Sequence, residues 1–181
     1  MNISDHIIDD ARYIASPNYD SRPEKTSISL IIIHAISMPA GEYVTENIVK
    51  LFTNELNPDH HPDFKAVSDL KVSSHLLITR SGDVLQFVPF HKRAWHAGIS
   101  VFEEQENCND FSIGIELEGC DGDIFEEIQY EVLNSILNLL KKEYSIPDKN
   151  IVGHQHVAPQ RKTDPGPNFD WSKINTDHLD R

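Results

Sequence analysis

The stretch Leu30-Ile31-Ile32-Ile33 is an unbroken apolar run in a chain that is polar on either side of it. A short, mostly β-branched run of this kind reads as a strand buried on both faces, which places it in the middle of a sheet. The chain leaves it through His34-Ala35-Ile36-Ser37, so an imidazole stands where the strand reaches the rim. A similar exit occurs near the C-terminus. There Ile151-Val152 reads as a short strand opening into a turn-rich loop, 153–167, that carries His154, His156, Arg161, Lys162 and Asp164. Polar loops presented by a rigid scaffold are where sites concentrate.

These residue types define a chemistry. Neutral imidazole and carboxylate suit a divalent zinc-like ion, and three protein ligands with an open fourth position make the catalytic arrangement. His154 and Asp164 supply two ligands, with His156 a weaker candidate. The third comes from the other strand end, at His34. Each has a plain explanation when taken singly: a strand-end histidine bonded to a loop, or an aspartate favoured before Pro165-Gly166. The three together point to a metal.

Phe111 to Gly119 alternates, so Ile113, Ile115 and Leu117 point one way and Ser112, Gly114, Glu116 and Glu118 the other. Glu116 is then a polar residue on a solvated strand face, or a general base beside the metal. Lys162 is a solvated loop cation, or the group that stabilises an oxyanion alongside zinc. In their functional readings these five residues describe metal-assisted amide or ester hydrolysis.

The rest of the chain supplies the scaffold. A weak amphipathic helix is expected over 5–14, then a polar surface wrap over 16–23. Helical spacing returns over 41–55, with Tyr43, Ile48, Leu51 and Phe52 on one side. Residues 72–79 and 84–88 form a hairpin around Ser81-Gly82-Asp83. The strongest helix runs over 124–144 on Ile128, Val132, Ile136, Leu139 and Leu140, and Pro147 closes it. A short closing helix is expected over 168–181. Of the other histidines, His75 reads as structural, His60 and His61 as solvated, and His96, beside Trp95, as part of a groove wall.

At 181 residues the chain is expected to be one domain spanning 1–181. A net charge of −13 argues against a nucleic-acid partner, which calls for a broad basic face. No stretch is apolar enough to span a membrane, and no signal peptide is evident. Cys108 and Cys120 make no disulfide framework, and a cytoplasmic monomer is the expectation.

From about Ala15 to Trp171 the chain resembles the zinc N-acetylmuramoyl-L-alanine amidases, a family shared with phage amidase lysozymes and peptidoglycan recognition proteins. The longest matching blocks are 92–98 (Lys-Arg-Ala-Trp-His-Ala-Gly), 108–119 and 161–167; Ser16 to Asp20, Arg22-Pro23 and His34 also match. The resemblance implies an α/β fold, a single domain with a central mixed β-sheet flanked by helices. It implies Zn2+ held by His34, His154 and Asp164, with Glu116 and Lys162 catalytic. It implies an anhydro-muropeptide substrate whose peptide carboxylates would suit Lys71, Arg93 and Arg161, with Ala94, Trp95 and His96 along the sugar or peptide. Cytoplasmic recycling members commonly carry Asn where this chain has Ala35, and often Arg where it has Lys71. Both positions are associated with substrate contact, so affinity and preference are the properties expected to differ. A muropeptide-binding module and a secreted or phage lytic amidase are the competing readings.

Overall fold

The computed structural model describes residues 1–174. The chain opens on a hairpin of β1 (Ile3–Ser4) and β2 (Ile7–Ile8), turned by Asp5 and His6 at φ of 48° and 64°. Two consecutive left-handed residues match the twist of a tight hairpin and cannot belong to a right-handed helix. The helix expected over 5–14 therefore does not form. Ile8 is buried, and its N–H donates to Gln86 Oε1 at 2.8 Å.

Next come β3 (Arg12–Tyr13) and β4 (Tyr19–Ser21). The expected surface wrap is anchored by buried polar side chains. Ser16 Oγ donates to Phe52 O at 2.5 Å, Asn18 Nδ2 donates to Val72 O at 2.8 Å, and the Asn18 and Asn54 amides bond reciprocally at 3.0 Å.

The main sheet begins with β5 (Leu30–Ile36), followed by α1 (Thr45–Phe52). Tyr43 precedes α1, exposed, with the Arg80 guanidinium over its ring at 4.6 Å, so it does not share the buried face of Ile48, Leu51 and Phe52. β6 (Leu76–Ile78) and β7 (Val84–Gln86) make the expected hairpin, shorter than its sequence suggested. Residues 72–75 run extended beside it, with Ser73 N–H donating to Trp95 O and His75 N–H to Gly114 O. β8 (Lys92–Ala94) pairs antiparallel with β4. The acidic stretch after it folds into a small hairpin, β9 (Val101–Phe102) and β10 (Gln105–Glu106).

β11 (Ser112–Glu118) follows, then α2 (Glu127–Tyr144). A reciprocal capping box of Glu126 and Gln129 starts α2, and Ser145 at φ 55° ends it ahead of Pro147. Its buried face is Tyr130, Leu133, Ile136, Leu137 and Leu140; Ile128, expected there, is exposed. β12 (Ile151–Gly153) runs directly into α3 (His154–Val157). Of the expected closing helix, a 3-10 turn at Trp171–Lys173 is present, and 175–181 lies outside the described residues.

The sheet has the order β12-β5-β11-β6-β7-β3, with every pair parallel except β6 and β7. It is a mixed sheet with helices on both faces. Ile31, Ile33, Ile113, Ile115, Leu117 and Ile151 face α2. On the other face Leu77 and Leu85 pack under α1, while Leu30, Ile32 and Val152 meet Ala97, Cys108, Phe111 and Val157. Every residue of β11 is buried, so the polar face of that strand is not solvated. Both cysteines are free thiols.

One cation ties the loops above the sheet together. The Arg22 guanidinium donates to the carbonyls of Phe90, Asn109, Asp110 and Ser112 at 2.8–3.1 Å. Burial lowers its pKa to about 10, which leaves it charged at neutral pH. Arg22→Met keeps the apolar stem but strips four acceptors of their donor. At about 1–3 kcal/mol per buried group left unsatisfied, some of it recovered by water, urea unfolding should show a loss of about 3 kcal/mol. A loss below about 1 kcal/mol would show that the guanidinium does not organise these loops.

Candidate metal centre

The parallel register sets His34 of β5 opposite Glu116 of β11, and Gly153 of β12 opposite Ile33. His154 follows Gly153, so three adjacent strands deliver His154, His34 and Glu116 side by side at their C-terminal ends. The fourth element is the loop back from α3. A Cβ on Gly153 would lie 2.8 Å from Pro165 Cδ, so glycine lets the Asp164-Pro165 segment close onto β12. Gln155 N–H then fixes the Asp164 carbonyl at 3.0 Å.

The donor atoms converge. His34 Nδ1 and His154 Nδ1 are 3.0 Å apart, and each is 3.1 Å from Asp164 Oδ2. Both imidazoles are 2% exposed. His154 Nε2 donates to the Ala97 carbonyl at 3.0 Å, and a carbonyl only accepts, so in the neutral ring the Nδ1 lone pair faces the other two donors. Burial drops the His34 pKa to about 4, which keeps that imidazole neutral at pH 7. Burial would raise the Asp164 carboxyl, but its close contacts with the His154 and His34 imidazoles outweigh it and hold it well below the usual carboxylate range. Neutral imidazole with an ionised carboxylate is the donor set a divalent cation takes, and the three residues could hold one ion.

Glu116 lies beside this set, 8% exposed, and its Oε2 has no hydrogen-bond partner among the described residues. Burial pushes its pKa well above the ordinary glutamate value, the Asp164 charge adds to that, and Lys162 opposes both. A buried carboxyl whose pKa is raised in this way is a candidate for proton exchange. Lys162, partly buried, also bears electrostatically on His34.

The other candidates are placed as follows. His156 is exposed and turned away, its Nδ1 accepting the Gly153 N–H at 2.9 Å, because α3 is helical and does not put it on the face of His154. His75 is buried, with Nδ1 accepting the Gly114 N–H and Nε2 donating to Lys92 O, both within the scaffold. Arg93 is held bidentately by Asp20 at 2.6 Å and by Asp110 at 2.5 Å. Arg161 donates to the Ala97 and Ile99 carbonyls at 2.5 and 2.9 Å. Lys71 is exposed, and Ala94 is fully buried under α1. Trp95 is partly buried, its main chain bonded to Ser73. Ala35 packs toward the α2 core, on the face opposite His34.

His96 lies behind His34, with its Nδ1 2.9 Å from His34 Nε2 and its Nε2 3.3 Å from Ser112 Oγ. That contact, the Ala97 carbonyl and the glycine at 114 are site features that residue types and spacing did not announce. The one sequence signal was their crowding into 95–98 and 112–116.

A donor set for one cation, with an unpartnered carboxyl beside it on the rim of an α/β sheet, is the layout of the metal-dependent hydrolases. Comparison with known proteins narrows the class. The N-acetylmuramoyl-L-alanine amidase family profile matches residues 24–167. The 1,6-anhydro-N-acetylmuramyl-L-alanine amidase AmpD of Citrobacter freundii is 48% identical over 165 residues, 91% of this chain and 88% of that protein. AmpD of Escherichia coli K12 is 48% identical over 164 residues, 91% and 90%. A crystal structure of a selenomethionine AmpD derivative superposes with a TM-score of 0.94 at 46% identity, covering 96% of this chain and 97% of that one. The amidase AmiD of E. coli, in complex with anhydro-N-acetylmuramic acid-L-Ala-D-gamma-Glu-L-Lys, gives a TM-score of 0.60 at 29% identity over 84% and 58%. The chain belongs to the N-acetylmuramoyl-L-alanine amidase family.

Burial of Glu116 has a measurable cost. A pKa raised in the folded state means that the native protein keeps a proton the unfolded chain has released above about pH 4.3. Stability is then lost as pH rises toward the native pKa. Glu116→Gln removes this term, so with chelator present the variant should melt above the parent at pH 8, and the gap should shrink toward pH 5. An equal gap at both pH values would mean that Glu116 is not held protonated by burial.

Proposed function

We propose that the chain is a zinc-dependent amidase of the cytoplasmic peptidoglycan-recycling type. It would cut the amide between the lactyl group of 1,6-anhydro-N-acetylmuramic acid and L-alanine in muropeptides. The observation that carries this reading is the convergence of His34 Nδ1, His154 Nδ1 and Asp164 Oδ2 to 3.0–3.1 Å, beside a buried Glu116 oxygen with no partner. The likeness to the 1,6-anhydro-N-acetylmuramyl-L-alanine amidases supports the bond and the anhydro sugar, and the AmiD complex supports a muropeptide at such a site.

His34, His154 and Asp164 would hold the metal. When bound there, zinc polarises the scissile carbonyl and brings a water pKa down to about 7. Glu116 takes a proton from the attacking water and returns it to the L-alanine nitrogen as the carbon–nitrogen bond breaks. The raised pKa of Glu116 lets one group serve as base and then acid. Lys162 stabilises the negative charge that develops on the carbonyl oxygen. The products are a lactyl carboxylate and a peptide with a free amine. Lys71 is the exposed cation for a peptide carboxylate, and Trp95 offers an aromatic edge to sugar or peptide.

The deciding experiment is hydrolysis of anhydro-muramoyl tripeptide followed by mass spectrometry. Free tripeptide should appear, stop on chelation and return with added zinc. Zinc bound at one per chain with no product would leave a muropeptide-binding module. Glu116→Ala should keep zinc and lose about 100-fold or more in turnover; loss of zinc with it would make Glu116 a ligand. Asp164→Ala should lose metal affinity, and normal metal content in that variant would remove it from the ligand set.

A further inference from the structure

We propose that the His96-Ala97 segment, pinned by the Asn109 side chain, is the outer layer of the metal centre. The Ala97 carbonyl sets the tautomer of His154, and the His96 imidazole sets that of His34. His96 and Asn109 are then positioning residues. The inference rests on the metal reading above.

Two ligands from different strands are addressed by consecutive residues. The Ala97 carbonyl accepts from His154 Nε2 at 3.0 Å and also from Arg161 at 2.5 Å, which braces it. His96 Nδ1 meets His34 Nε2 at 2.9 Å, with the two rings edge to face at 88°. The backbone between them is fixed by Asn109, whose Oδ1 accepts both the His96 N–H at 3.2 Å and the Ala97 N–H at 2.8 Å. The His96 ring is seated over Gly114, where a Cβ would lie 2.5 Å from His96 Cγ, and it is backed by His75 with ring centroids 5.7 Å apart. The missing Cβ at Gly114 is what lets the ring lie this close to β11.

The proton order follows from what a ligand needs. For His34 Nδ1 to offer a lone pair, its proton must sit on Nε2 and be donated to His96 Nδ1. The His96 proton then sits on its own Nε2 and is donated to Ser112 Oγ at 3.3 Å. In the reverse order the Ser112 hydroxyl donates to His96 and the His34 proton points at Asp164, occupying the position a cation takes. When His96 accepts from His34 Nε2, it holds the metal-ready ring in place, as hydrogen bonds to the far nitrogen of ligating histidines do in general.

The test is zinc affinity, read by competition with a chelator, for the parent, His96→Leu, His96→Gln and Ser112→Ala. Leucine removes the acceptor and should weaken zinc about 10- to 100-fold. Glutamine restores an acceptor oxygen and should recover most of that loss. KM with zinc saturating should stay at the parental value in both. Parental affinity in His96→Leu, or a raised KM in both variants at saturating zinc, would overturn the proposal and make the ring a groove wall. Should His96→Leu fail to fold, Ser112→Ala decides. It should weaken zinc about 3- to 10-fold, the effect of one hydrogen bond; parental affinity there also overturns the proposal. Failure of the metal reading is seen separately, as a parent that binds no zinc.

Discussion

Seven residues of β5 pair in parallel with seven of β11, and the site depends on that register. Both strands are buried on both faces, so two separate cores hold it. Ile31 and Ile33 are locked under α2, and Leu30 and Ile32 against Phe111 and Val157. Side chains alternate with a period of two, so a slip of one residue would turn His34 into the α2 core and carry Glu116 away from it. β12 extends the same register and brings His154 to the same rim. Open α/β sheets place ligands at the carboxyl ends of their parallel strands, and here three neighbouring ends each contribute a polar side chain.

Two glutamates on one face of β11 show how the fold separates structure from chemistry. Glu118 is 2% exposed and fully engaged: Thr45 Oγ1 donates to it at 2.6 Å and the Arg80 N–H at 3.1 Å. It ties the start of α1 and the end of β6 to the strand. Glu116, two residues earlier, is buried almost as deeply, yet one of its oxygens has no partner. Burying a polar atom unsatisfied costs about 1–3 kcal/mol, so a fold selected for stability alone would have given Glu116 the kind of neighbours Glu118 has. The deficit sits beside the His34, His154 and Asp164 donor set.

How much of this was legible in the sequence follows from what each signal depends on. The run at 30–33 announced the central strand because burial on both faces leaves no polar positions to confuse it. The convergence of His34, His154 and Asp164 was legible because imidazole and carboxylate at strand ends are chemically specific. The N-terminal hairpin was not, because Ile3, Ile7 and Ile8 fit a helix as well as two short strands, and the left-handed Asp5 and His6 carry no glycine to mark the turn. The polar face of β11 stayed open between two readings for a related reason. Alternation says which residues share a face, and only tertiary packing says whether that face is wet. The outer layer was hidden because two of its parts, the Ala97 carbonyl and the space above Gly114, are backbone features that residue type does not encode.

The distribution of cations bears on how a chain of net charge −13 meets an acidic peptide. Two arginines near the site are engaged by the protein itself. Arg93 is neutralised by Asp20 and Asp110. Arg161 donates through its Nη2 group to the Ala97 and Ile99 carbonyls, over Gly98 at φ 59°. Both guanidiniums shape the rim, a role that suits their rigid, planar fork. Two ammonium groups add to them: Lys162 beside Glu116, and Lys71 exposed on the loop ahead of β6. An ammonium attracts a carboxylate as a point charge without imposing bidentate geometry. Under the proposed reading, tolerance toward the peptide portion follows from Lys71, whereas the geometry of the cleaved bond is set by the buried groups of β5, β11 and the α3 loop.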